Sequence, residues 1–105
     1  MTFYDKLVRD KIPEILKEKG KEHVFFRAKS DEEYLSYLKK KLLEEATEFS
    51  ESPSIEELAD IADVMSALMT AMKYTTPDLV SARIQKTQEK GSFNERWILL
   101  EVEND

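Results

Sequence analysis

The chain lacks cysteine and has little glycine, proline or histidine, and each shortage removes a class of structure or site. Without cysteine, disulfides, thiolate zinc sites and cysteine nucleophiles are all excluded. The single histidine, His23, excludes metal motifs that need a pair of histidines. Two glycines and three prolines leave little material for turns, so few and long elements are expected.

Long apolar runs and an excess of basic residues are also missing. No run of 18 apolar residues occurs, and the N-terminal segment has charges where a signal peptide would need an apolar core. A soluble, cytoplasmic protein without membrane partners is therefore expected. The net charge of −6 argues against nucleic-acid binding. It does not exclude a small polyanionic substrate, because a bound divalent metal reverses the local sign of the charge.

The composition favours one mainly all-α domain spanning residues 1–105. Apolar residues make up 41% of the chain and charged residues 36%, which suits amphipathic helices with solvated outer faces. Capping boxes at Ser30 with Glu33 and at Ser54 with Glu57 predict two long helices, ending near residues 50 and 73.

Shorter elements flank these two helices. Pro13 is expected in the first turn of an N-terminal helix that Gly20 ends, and Pro77 near the start of a helix that Gly91 ends. Alternating apolar residues make segments 23–28 and 96–102 candidates for a small β-pairing.

The second long helix is apolar on almost every side. From Leu58 to Met72 only four residues are clearly polar, so the helix must be covered on more than one face. In so small a chain, a second subunit is the expected cover, which predicts a homodimer or homotetramer. Burial within a single chain is the alternative.

Two acidic pairs carry the candidate chemistry. Glu45 and Glu48 are three residues apart on the first long helix, and so are Glu57 and Asp60 on the second, so each pair lies on one helix face. Glu45 also falls in the apolar stripe of its helix. A carboxylate buried there needs a compensating cation or a shift to its neutral form.

The bend at Ser52 and Pro53 strengthens this interpretation. In an antiparallel hairpin about this bend, Glu48 faces Glu57 and Glu45 faces Asp60. Four converging carboxylates would repel one another unless a cation lies among them. All-oxygen ligands select hard cations, which makes Mg²⁺ the first choice and Mn²⁺ the second.

Glu44 lies beside this group and is a candidate catalytic residue with Glu45, either as a further ligand or as the base that activates water. The alternative interpretation is that the acids are ordinary solvated charges. It applies well to any single ExxE pair and less well to two pairs on facing helices.

The acidic order "EEATE … ELAD" resembles that of the all-alpha nucleoside triphosphate pyrophosphohydrolases, the MazG-like group. The flanks "YDKLVRDKIPEIL" and "KGSFNERWILLEVE" are similar to a short single-domain subgroup, and together these segments cover nearly the whole chain. The resemblance implies a helical bundle, a homo-oligomer and Mg²⁺-dependent cleavage between the α and β phosphates. By motif position it implies that the metal ligands are Glu45, Glu48, Glu57 and Asp60.

A polyphosphate substrate also requires cationic side chains. The candidates are Lys6 and Arg9 first, followed by Lys86, Lys90 and Arg96. The expected substrate is a canonical or damaged nucleoside triphosphate, with a house-cleaning role. Phosphoribosyl-ATP is the alternative substrate, and a non-catalytic helical interaction module is the alternative from another functional class.

Overall fold

The computed structural model describes residues 1–104, and within them the protein forms four α-helices. These are α1 (Ile12–Glu18), α2 (Asp31–Glu51), α3 (Ile55–Ala71) and α4 (Thr76–Lys90). The chain divides into two compact units, Met1–Lys73 and a second that begins at Tyr74. The expected all-α class is confirmed. None of the helices in the described part is long and apolar enough to cross a membrane.

Local capping explains where the two long helices begin. The Ser30 hydroxyl accepts a hydrogen bond from the Glu33 amide, and the Ser54 hydroxyl accepts one from the Glu57 amide, both at 3.1 Å. Each bond satisfies one of the amides that a helix N-terminus leaves free. The Glu33 carboxylate accepts from the Lys29 amide at 3.0 Å, one residue earlier than a reciprocal capping box would place it.

The helices α2 and α3 pack against each other and contain the small core of the first unit. Three residues, 52–54, connect them. Leu38 on α2 and Val64 on α3 are the buried apolar side chains, with 1% and 9% of their surface exposed. The C-terminal half of α2 meets the N-terminal half of α3, and Asp31 at the start of α2 lines a cleft with Ala71 at the end of α3.

The second unit contains α4 and the segment that follows it. Thr75 and Asp78 form a complete capping box: the Thr75 amide donates to the Asp78 carboxylate at 2.7 Å, and the Asp78 amide donates to the Thr75 hydroxyl at 3.2 Å. Gly91, with φ +80°, ends the helix in a conformation that side chains disfavour. Beyond it, Phe93 and Trp97 are 98% and 88% exposed.

The expected β-pairing of residues 23–28 and 96–102 is wrong. No strand occurs anywhere in residues 1–104. Neither segment takes part in a backbone–backbone hydrogen bond in this part of the chain, so neither has the ladder that defines a strand. Val24 and Phe26 are instead 86% and 63% exposed. A six-residue alternation is a weak signal because it also fits an extended segment without a partner.

Candidate metal centre

The four carboxylates expected at the hairpin converge in the first unit. Glu45, Glu48, Glu57 and Asp60 each offer one oxygen, and these oxygens all lie within 4.8 Å of one another. We call this group the acidic cluster. In each helix the two members are three residues apart, so they lie on the same face, and the packing of α2 on α3 turns the two faces together.

Glu45 is the most deeply buried member of the acidic cluster. Only 5% of the residue is exposed, although the other buried residues among positions 1–104 are apolar. Burial raises the pKa of the Glu45 carboxyl above its ordinary value, and the neighbouring Glu48 adds to this, whereas Lys41 opposes it. The charged form of Glu45 is therefore destabilised unless further positive charge comes close.

Two oxygens of the acidic cluster are left without partners. Glu45 Oε2 and Glu57 Oε2 are buried and accept no hydrogen bond. A buried carboxylate oxygen without a donor is costly, so it calls for a partner that the side chains do not supply. The span of the cluster fits a cation with oxygen ligands at about 2.1–2.4 Å, since opposite ligands of such an ion are about 4–5 Å apart. The donor set therefore fits a hard divalent cation.

Lys41 supplies part of the compensating charge, and the sequence analysis missed it. Its ammonium group lies 3.2 Å from Glu45 Oε1 and 3.2 Å from Glu44 Oε2, and its side chain is 15% exposed. Burial alone would lower the pKa of Lys41, but the hydrogen bonds to Glu45 and Glu44 outweigh it and the pKa is raised. The spacings of three and four residues to Glu44 and Glu45 were a signal that could have identified it.

Glu44 lies beside the acidic cluster rather than within it. Its carboxylate is held between Lys6 and Lys41, each at 3.2 Å. Burial alone would raise the pKa of Glu44, but the two lysines outweigh it and lower the pKa, so the group is ionised at neutral pH.

The N-terminal segment brings two of the expected substrate-binding cations to this site. Lys6 reaches Glu44, and Arg9 Nη2 lies 2.6 Å from Asp60 Oδ1 and 2.9 Å from Asp63 Oδ2. The partners of Arg9 are 51 and 54 positions away along the chain, so helix periodicity could not have identified them.

The remaining expected cations lie elsewhere along the chain. Lys86 and Lys90 are on α4, and Arg96 follows it with a positive φ of 64°. All three belong to the second unit. Their proposed role stays a prediction.

Comparisons of the chain with protein-family models, with curated proteins and with solved structures found no match.

Proposed function

We propose that this protein is a Mg²⁺-dependent nucleoside triphosphate pyrophosphohydrolase that releases a nucleoside monophosphate and pyrophosphate. The observation that carries the proposal is the acidic cluster with its two buried, unpartnered oxygens, Glu45 Oε2 and Glu57 Oε2. The order of the acidic motifs, which resembles that of the MazG-like enzymes, selects this reaction among those that use hard cations. Mn²⁺ is the alternative metal.

The metal would be held by Glu45, Glu48, Glu57 and Asp60. When bound, Mg²⁺ supplies charge neutralisation for phosphate oxygens and lowers the pKa of a coordinated water. The packing of α2 on α3 keeps the four side chains close before any ligand arrives, which reduces the cost of assembling the site.

Glu44 is the candidate proton acceptor for the attacking water. It is ionised at neutral pH because Lys6 and Lys41 lower its pKa, and only an ionised carboxylate accepts a proton. The same two lysines fix its position next to Glu45. Its lowered pKa makes it a weak base, so most of the activation has to come from the metal.

Lys6 and Arg9 would bind the polyphosphate. Both lie at the rim of the acidic cluster, with side chains 40% and 58% exposed, so an incoming anion can reach them. The guanidinium group of Arg9 suits two-point contacts with phosphate oxygens. Lys86, Lys90 and Arg96 are the further candidates, from the second unit.

A second copy of the chain would cover the exposed face of α3. Leu58 and Met65 on α3, and Met72 directly after it, are 46%, 43% and 44% exposed. Fully burying such a side chain is worth about 1.5–3 kcal/mol. Because each is already more than half buried, a partner surface would add about 1 kcal/mol per residue, which favours a homodimer or homotetramer. Light scattering coupled to size-exclusion chromatography measures the mass directly, and a monomer at micromolar concentration would contradict this part of the proposal.

A nucleotide panel with pyrophosphate detection, with and without Mg²⁺, tests the activity. It should contain canonical and damaged nucleoside triphosphates together with phosphoribosyl-ATP, which separates the two substrate classes. We expect pyrophosphate release that requires Mg²⁺ and falls by at least about two orders of magnitude in Glu45→Gln and in Asp60→Asn. Glu51→Gln and Glu56→Gln are matched controls, since both remove an exposed acid from the same helices. Full activity in Glu45→Gln and Asp60→Asn would refute the assigned site.

A further inference from the structure

Three side chains of the N-terminal segment, residues 5–9, contact α2 and α3, and one of these contacts reaches the acidic cluster. The Asp5 carboxylate accepts a hydrogen bond from the Tyr37 hydroxyl at 2.6 Å. Lys6 pairs with Glu44, and Arg9 pairs with Asp60. The segment therefore joins α2 and α3 at the acidic cluster, although it has no regular secondary structure of its own.

The contact of Arg9 with Asp60 creates a competition. Asp60 belongs to the acidic cluster, yet its Oδ1 already neutralises a guanidinium group at 2.6 Å. A divalent cation bound to Asp60 would draw on the same carboxylate charge and would repel Arg9. Either the ion pair of Arg9 with Asp60 weakens when the metal binds, or Arg9 weakens the binding of the metal.

Asp63 is a second ion-pair partner for Arg9 at the site. It lies three residues after Asp60, on the same face of α3, and its Oδ2 is 2.9 Å from the same nitrogen of Arg9. Asp63 is not a member of the acidic cluster, and its side chain is 62% exposed. Arg9 is the only cationic residue in the described part of the chain that lies within ion-pair distance of Asp63.

We propose that Arg9 and the metal share Asp60, and that Asp63 retains Arg9 at the site when the metal takes the charge of Asp60. Asp63 is thus a positioning residue that acts through Arg9 and does not ligate the metal. The segment stays docked on metal binding, and its guanidinium group stays close to where an anionic substrate would be bound. This inference rests on the proposed metal centre but not on the reaction.

Mn²⁺ binding, measured by electron paramagnetic resonance and calorimetry on the full chain, tests the competition. The Arg9→Ala variant should bind Mn²⁺ roughly two- to fivefold more tightly than the wild type, because it removes an exposed ion pair from Asp60. Lys6→Ala is the matched control, because it removes an equal charge from the same segment but from Glu44 instead of a cluster member. Lys6→Ala should strengthen Mn²⁺ binding less than Arg9→Ala does. Weaker binding by Arg9→Ala, or a gain no larger than that of Lys6→Ala, would overturn the competition.

Hydrogen exchange tests the role of Asp63. The Ile12 amide donates to the Arg9 carbonyl at 3.1 Å, so its exchange rate reports how firmly the backbone at Arg9 is held. With Mg²⁺, the wild type should keep this amide protected, whereas Asp63→Asn should exchange it at least several-fold faster than without Mg²⁺. The control Glu56→Gln should behave as the wild type. Unchanged protection in Asp63→Asn would overturn the retention by Asp63.

The two proposals fail in different ways. A wild-type protein that binds no Mn²⁺ would overturn the metal centre and this inference with it. Wild-type Mn²⁺ binding that Arg9→Ala does not strengthen would overturn the sharing of Asp60 alone. Pyrophosphate release enters neither measurement, so a failure of the proposed reaction leaves the result readable.

Discussion

Neutralising Glu57 should stabilise the metal-free protein and reduce its stabilisation by Mg²⁺. The Glu57 carboxylate lies within 4.8 Å of three other carboxylates, and its Oε2 is buried without a partner. At 4.8 Å, two like charges repel by about 0.9 kcal/mol at a dielectric constant of about 80, and by about 3.5 kcal/mol at about 20. Glu57→Gln keeps the shape of the side chain and removes this repulsion. We therefore expect a gain in the free energy of unfolding of about 1 kcal/mol or more in EDTA.

Mg²⁺ should stabilise Glu57→Gln less than it stabilises the wild type. At a Mg²⁺ concentration about ten times Kd, binding to the folded state alone adds about 1.4 kcal/mol to the free energy of unfolding. If the loss of one ligand raises Kd about tenfold, the increment falls to about 0.4 kcal/mol. Mg²⁺ should thus bring the wild type closer to Glu57→Gln in stability.

Urea unfolding followed by circular dichroism, in EDTA and in Mg²⁺, measures both effects. Glu56→Gln is the matched control because both acids lie in the first turn of α3, where each loses a similar interaction with the helix dipole. Its exposed side chain lies outside the acidic cluster. The reasoning is refuted if Glu57→Gln is no more stable than Glu56→Gln in EDTA, or if it keeps the full Mg²⁺ increment.

Two further predictions concern the buried residues of α2. Leu38→Ala should lower the free energy of unfolding by about 2–5 kcal/mol because the side chain is 1% exposed, whereas the 71% exposed Leu43 should tolerate alanine within about 0.5 kcal/mol. Equal losses in the two urea titrations would contradict the assigned core. Because burial raises the pKa of Glu45, the folded metal-free protein binds more protons there than the unfolded chain, so its stability should fall as pH rises through that pKa. Glu45→Gln should remove this part of the pH dependence in EDTA, and an unchanged slope would argue against a buried, ionisable Glu45.

Local signals in the sequence were enough to locate the helices. Ser30 and Ser54 cap α2 and α3 as their spacing to an acid three residues later predicts, because a cap is a contact between near neighbours. The second hydrogen bond of each capping box, in which the acidic side chain accepts from the N-cap amide, could not be predicted in the same way. The Glu33 side chain accepts from Lys29 instead, and Glu57 belongs to the acidic cluster. Side chains near a helix start have several partners within reach, and tertiary contacts decide among them.

In the candidate site, too, local contacts could be predicted from the sequence and distant contacts could not. The convergence of Glu45 with Asp60 follows from periodicity and a short connection, both of which can be read along the chain. Contacts of the N-terminal segment depend on how a non-helical stretch folds back, so the pairing of Arg9 with Asp60 and Asp63 had no local signal. The predicted β-pairing of segments 23–28 and 96–102 was wrong for a related reason, because a strand depends on a partner that its own residues do not specify.

The three-residue connection between α2 and α3 has a consequence for how the centre assembles. All members of the acidic cluster lie between positions 45 and 60, so closing the loop that brings them together costs little chain entropy. Contacts this local form early and fast during folding, before distant segments arrive. The cation site can therefore take shape before the N-terminal segment docks on it.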